Sequence, residues 1–236
     1  MMTLASTLML GFLLGLRHAL EADHVAAVAT LTSGNRSLKR TVAQGAAWGL
    51  GHTLTLMLFG GAVLVAGSVI PESVAQGLEF VVGVMLIALG ADALWRLRRE
   101  RVHFHVHRHA DREAHFHAHS HRGENAPHDR ARHEHAHAPG FPSRAVVVGM
   151  VHGLAGSAAL VLLSLEALGS PALGLVYIAI FGLGSILGMA LVSVAIAVPL
   201  RLTSRRLGLT HHALAGIVGL ATMIFGGWIV LRIGFA

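Results

Sequence analysis

Apolar residues in this chain run in blocks too long for the core helices of a soluble domain. A run of about 18 or more apolar residues reads as a membrane-spanning helix. Six such runs occur, at residues 4–31, 42–69, 74–97, 145–168, 172–200 and 213–233, and the polar residues gather in the gaps. The pattern predicts an all-α, polytopic membrane protein with six transmembrane helices. The first run is unusual in two ways. Its 28 residues would span roughly 42 Å at ~1.5 Å per residue, against a hydrocarbon thickness of about 30 Å, so it must tilt strongly or break. It also carries Arg17, His18, Glu21, Asp23 and His24 in its middle, between flanks that are apolar all round. No wet face exists there. A charged side chain at bilayer depth costs roughly 2.5–3.5 kcal/mol on insertion scales, so such residues are functional suspects by default.

The halves of the chain resemble each other. The segment from Gly15 to Ala22, Gly-Leu-Arg-His-Ala-Leu-Glu-Ala, aligns with Gly-Met-Val-His-Gly-Leu-Ala-Gly from Gly149 to Gly156, and Trp48-Gly49-Leu50-Gly51-His52 aligns with Phe181-Gly182-Leu183-Gly184-Ser185, at offsets of 134 and 133 positions. The expected organisation is a three-helix membrane repeat over residues 1–97, a His-rich segment over 98–144, and a second three-helix repeat over 145–236. An odd number of spans per repeat makes the second repeat enter from the opposite side. Inverted repeats of this kind are a common plan of secondary transporters, with the substrate site at the repeat interface.

Charge sets the expected orientation. Arg36, Lys39 and Arg40 lie in the first loop, many arginines in the 98–144 segment, and Arg201, Arg205 and Arg206 in the fifth loop, whereas the loops around Pro71 and Pro171 carry no Lys or Arg. The positive-inside rule then places the three basic loops in the cytoplasm and both termini outside the cytoplasmic membrane. The net charge of +6 therefore speaks of membrane orientation rather than of nucleic acid. The first residues lack a basic n-region, so no cleavable signal peptide is expected.

Composition removes several functions. With 54% hydrophobic and 13% charged residues, the chain falls among membrane proteins. Its 28 glycines suit close helix contacts in lipid. It has no Cys, which excludes disulfides, thiolate metal sites and thiol redox chemistry. Its single lysine, Lys39, follows Leu38 rather than Gly, so there is no P-loop. No His-Glu-x-x-His pair offers a zinc hydrolase site. The chain is expected not to be an enzyme.

The central cluster has the chemistry of a metal site. Imidazole suits Ni, Co, Zn and Cu(II), and carboxylates widen the range toward Mn and Fe. On a straight helix His18 and His24 would sit about 120° and roughly 9 Å apart, so either the helix breaks or other helices supply ligands. A buried ion-pair network of Arg17 with Glu21 and Asp23 is the alternative, and it leaves both histidines without a role. Arg17 is expected to neutralise one of these carboxylates. His52, in an apolar helix beside Gly49 and Gly51, is a candidate metal ligand. His152, the repeat partner of His18, reads equally as a ligand or as a structural group. Glu79 and Asp92 read as interfacial or structural, and His211 and His212 as solvated.

Twelve of the 18 histidines lie between His103 and His137. They alternate with other residues at His103, His105, His107, His109, and again at His115, His117, His119, His121. This low-complexity composition is typical of metal binding and cannot build a core. The segment is expected to be disordered without metal and to offer secondary metal sites. The bland reading is a solvated spacer.

Arg17-His18-Ala19-Leu20-Glu21-Ala22-Asp23-His24 resembles the signature of the nickel/cobalt transporter family and of its shorter six-span relatives, the urease-accessory nickel permeases. Leu50-Gly51-His52-Thr53 resembles the family's second motif, and Val151-His152-Gly153-Leu154-Ala155-Gly156-Ser157 resembles the urease-accessory type. Glu21 stands where the family usually has Asp. The resemblance implies a permease for Ni2+ or Co2+ as transported substrate, with His18, Glu21, Asp23, His24, His52 and His152 around the metal and no organic cofactor. It also implies the bilayer as surroundings and a cytoplasmic nickel chaperone or urease maturation protein as a partner. Uptake is the favoured direction and efflux the alternative. A metal sensor using the His-rich segment alone would leave His18, Asp23 and His24 unexplained.

Overall fold

The computed structural model describes residues 3–32, 37–66, 70–99, 102–107, 115–120, 142–154, 170–204 and 208–235. The described helices are α1 (Leu4–His18), α2 (Ala22–Thr32), α3 (Leu38–Thr55), α4 (Gly61–Ala66), α5 (Glu72–Arg99), α6 (Ser143–Gly153), α7 (Pro171–Ser204) and α8 (Gly208–Gly234). A π-helical turn at Leu56–Gly60 joins α3 to α4 without a break in direction. Four stretches are long and apolar enough to cross a membrane: Leu38–Ala66, Glu72–Arg99, Pro171–Pro199 and Ala213–Gly234. Large apolar side chains on their outer faces, among them Leu58, Val65, Ile217, Ile224 and Leu231, are more than half exposed. Such surface is stable only against lipid, and the chain is a multi-pass membrane protein. The expected fourth span, residues 145–168, is described only as far as Leu154; its remainder lies outside the described residues.

The first apolar run is broken, which is one of the two ways its excess length could be absorbed. α1 is 15 residues and ends at His18; α2 starts at Ala22. The turn between them is closed by Leu20 N–H donating to Arg17 O (2.8 Å) and Glu21 N–H to His18 O (3.0 Å). Glu21 then offers its carbonyl to Val25 N–H (2.9 Å) and so begins α2. Asp23 sits in the first turn of α2, where a carboxylate favours the positive end of the helix dipole.

Helices pack through glycine. α5 lies along α8, α3 along both α6 and α7, and α1 along α7. A side chain at Gly15 would run into the backbone of Phe181 and Ser185, and one at Gly149 into the backbone of Trp48. Gly51 meets Val146 and Met150, Gly184 meets Phe12 and Leu16, and Gly83 and Gly90 meet Gly226 and Gly219. Without a hydrophobic drive between helices in lipid, close backbone approach is what holds them together. The interior is filled by Val28, Trp48, Leu86, Leu89 and Met189, among others.

Part of the His-rich segment is described as an antiparallel ribbon of β1 (Val102–His107) and β2 (His115–Ser120). The register pairs His103 with His119, His105 with His117 and His107 with His115. Successive strand residues alternate between faces, so these six positions share one face. Val102, Phe104, Val106, Phe116 and Ala118 hold the other. The ribbon is the one addition to the helical architecture among the described residues. The alternation of His with Phe, Val and Ala is a period-2 pattern, which suits a strand rather than a helix. The expectation of disorder over residues 98–144 concerns mostly residues outside those described, including His109 and His121.

Candidate metal centre

The break after α1 assembles the site. It brings the end of α1 and the start of α2 together, so that the rings of His18 and His24 approach to 4.2 Å between centroids. α3 adds His52, at 5.3 Å from His18 and 5.2 Å from His24. α6 adds His152, at 4.2 Å from His24 and 5.9 Å from His52. His18 is 2% exposed and the other three 0%. Gly51 and Gly153 let α3 and α6 come close enough for this, since a Cβ at Gly153 would meet the His52 backbone.

The carboxylates face histidines rather than arginine. Asp23 Oδ1 accepts the His24 backbone N–H at 2.9 Å and lies 2.9 Å from His24 Nδ1; its Oδ2 lies 3.1 Å from His152 Nε2. Glu21 Oε1 lies 2.9 Å from His18 Nδ1, and its side chain is 47% exposed. Among the described residues no ion pair joins Arg17 to either acid, contrary to expectation, because the helix break turns both acids toward the imidazoles.

Many polar atoms here are buried without a hydrogen-bond partner: both ring nitrogens of His52, His18 Nε2, His24 Nε2, His152 Nδ1 and Trp48 Nε1, while His18 Nδ1 has only the ion-pair contact to Glu21 Oε1, which lacks hydrogen-bond geometry. An unsatisfied buried polar group costs about 1–3 kcal/mol. Several unpartnered imidazole nitrogens gathered in one buried cluster have the chemistry of a metal-ligand set. Two overlapping groups have all their ligand atoms within 4.8 Å of one another: His18, His24 and His52, and Asp23, His24 and His152. His24 belongs to both, and Glu21 to neither.

Sequence reasoning missed Trp48 as a member of the site. Its ring stands 5.3 Å from His24 and 5.4 Å from His152 and walls the cavity. Its place four residues before His52, one helical turn away, was the available signal. Ser185, the repeat counterpart of His52, is buried and donates to Gly15 O at 3.2 Å. Asp92 is structural, pairing with Arg96 of its own helix and Arg144 of α6, and Glu79 is exposed. The side chains of the ribbon histidines and of His211 and His212 lie outside those described.

A multi-pass membrane protein with a buried cluster of metal-ligating side chains where its helices meet belongs, by class, with the metal-ion permeases. The family model described as NicO, high-affinity nickel-transport protein, matches residues 4–198, and the chain belongs to this family. The family's activity is nickel transport, so the protein is a nickel permease and not an enzyme. The chain is also similar to the urease accessory protein UreH of Bacillus sp. (strain TB-90), with 34% identity over 226 residues, covering 94% of this chain and 90% of that protein. No solved structure matches the chain.

Proposed function

We propose that the protein is a secondary transporter that takes Ni2+, and Co2+ as a second substrate, into the cell across the cytoplasmic membrane. His18, Asp23, His24, His52 and His152 form the station at which the ion leaves water, with Glu21 at its exposed edge. The observation that carries this is the convergence of four buried imidazoles from four helices, each with at least one ring nitrogen lacking a hydrogen-bond partner. No organic cofactor takes part. Likeness to a protein named for a urease accessory role favours uptake, with nickel passed to a cytoplasmic nickel chaperone or urease maturation protein.

Six crossings in two inverted repeats belong to the same reading, with the broken α1–α2 pair as one crossing and α6 opening another. Support comes from packing pairs that exchange between the halves. Gly15 on Phe181 has its counterpart in Gly149 on Trp48, and Gly51 on Val146 in Gly184 on Phe12. The contacts of Gly83 with Gly226 and Gly90 with Gly219 map onto each other. These run in opposite chain directions, so the exchange axis crosses the helices and lies in the membrane plane, as inverted repeats require. The basic loops face the cytoplasm and both termini lie outside.

The His-rich segment is a secondary, cytoplasmic metal-binding element. The pairing of His103 with His119, His105 with His117 and His107 with His115 supports it, because cross-strand partners stand about 4.5–5.5 Å apart at Cβ. The same element could gather metal for export, which is the second reading. Accumulation of 63Ni at trace nickel, in cells with and without the gene, separates the two. Several-fold higher accumulation supports uptake, lower accumulation supports efflux, and equal accumulation together with no flux in proteoliposomes rejects transport through this site.

A further inference from the structure

Asp23 falls into a candidate metal group with His24 and His152 only because the three are already joined to one another. A carboxylate accepts hydrogen bonds and cannot donate them. With its Oδ1 on His24 Nδ1 and its Oδ2 on His152 Nε2, it requires a proton on each of those nitrogens. The tautomers follow. His24 presents the lone pair of Nε2, and His152 that of Nδ1. These are the two nitrogens of the two rings that are buried without a partner. The same Oδ1 also holds the His24 backbone N–H, so three of the carboxylate's roughly four acceptor positions are occupied by protein. A cation bound directly by Asp23 would have only the one remaining acceptor position and would compete with the three N–H groups for the same carboxylate.

We propose, building on the transport reading above, that Asp23 is a positioning residue rather than a metal ligand, and that the shell that selects the ion is made of imidazole nitrogen alone: His18, His24 and His52, with His152 Nδ1 as a fourth donor. Metal-bound histidines commonly donate their other N–H to a carboxylate, which fixes the ring and raises its basicity. Here one carboxylate serves two rings from two helices, α2 and α6, and so also ties the halves of the molecule together across the site. The consequence is selectivity. An all-imidazole shell suits Ni2+, Co2+, Zn2+ and Cu2+, whereas Mg2+, Ca2+ and Mn2+ want carboxylate, carbonyl and water. The abundant hard cations are disfavoured because both acids of the cluster face imidazoles, Asp23 against His24 and His152 and Glu21 against His18.

The test uses the whole chain in detergent with the twelve histidines between His103 and His137, and also His211 and His212, changed to Asn, so that His18, His24, His52 and His152 are the histidines that remain, and Cu2+ as the probe. Pulsed electron paramagnetic resonance counts coordinated imidazoles through their remote nitrogens. The expected wild-type core spectrum shows at least three imidazoles. Asp23→Asn, which keeps one acceptor but loses the second, is expected to leave that count and the g values unchanged while weakening Cu2+ binding on the order of 10–100-fold. Asp23→Glu should recover part of the loss. The proposal is overturned if Asp23→Asn shifts the g values as the loss of an anionic oxygen donor does, if the wild type shows fewer than three imidazoles, or if Asp23→Asn binds no Cu2+ even 1,000-fold above the wild-type Kd. An intact imidazole signal in a protein that moves no 63Ni would instead count against the transport reading and leave the role of Asp23 standing.

Discussion

His24 is the residue on which the site turns. It is fully buried, it contacts His18, His52, His152 and Trp48, and it alone belongs to both candidate ligand groups. His24→Ala and His52→Ala should each cut nickel flux more than tenfold while leaving the protein in the membrane at normal abundance, measured as 63Ni uptake per molecule on a blot. Glu21→Asp should keep most of the flux, because Glu21 sits outside both groups and about half in solvent. Each imidazole must be free of its second proton to bind metal, so protons compete with the ion. Half-saturating nickel should therefore rise as pH is lowered, read from 63Ni uptake against nickel concentration at a series of pH values. Most of this site was legible in sequence. His18, Asp23 and His24 stand out because ionisable groups are costly in an apolar helix, and the excess length of the run called for tilt or a break, of which the structure shows the break. The roles of the acids were not legible. Whether Asp23 faces Arg17, an ion or two histidines depends on a three-residue turn, Ala19 to Glu21, whose direction no periodicity encodes. Trp48 was hidden for a related reason, since a large aromatic in an apolar helix looks like ordinary core.

At the scale of the helices, small residues decide what can approach what. The glycines are not interchangeable, and the structure separates them. A Cβ at Gly149 would enter the Trp48 backbone and one at Gly51 the Val146 backbone, whereas at Gly77 and Gly227 nothing lies within 4 Å. Gly149→Leu should push α6 from α3, displace His152 and destabilise the protein by at least the ~1–3 kcal/mol typical of overpacking. Gly227→Ala should be neutral or stabilising by up to ~1 kcal/mol, since Ala is the better helix former. Thermal unfolding followed by size-exclusion in one detergent compares the pair directly; equal midpoints would mean that the α3–α6 contact is not tight. Counting glycines in the sequence predicted close packing in general. Locating it took the structure, which shows which backbone each glycine meets. The strands Val102–His107 and His115–Ser120 were not read from the sequence, which was expected to be disordered there without metal: the histidines announced metal, and their period-2 alternation with Phe, Val and Ala, which suits a strand, was passed over.

At the scale of the molecule, orientation is what joins a site to a direction of transport, and the hydropathy pattern alone leaves it open. By the positive-inside rule, the basic loops of the proposed topology, set against two loops without Lys or Arg, predict a cytoplasmic His-rich segment, which would receive nickel that has crossed or gather nickel about to leave. The chain has no cysteine, so single cysteines report location cleanly. Ser73→Cys, at the exposed start of α5 beside Pro71, should react with a membrane-impermeant maleimide added to intact cells. Ser120→Cys, at the end of β2, should react only after the membrane is opened. The two sites lie on opposite flanks of α5, and α5 is long and apolar enough to cross the membrane, so the labels must differ if it does cross. Labelling of both from outside would mean that α5 does not span. Labelling of Ser120→Cys alone would turn the molecule over and present the histidine ribbon to the exterior, where it would capture nickel before passage rather than after it.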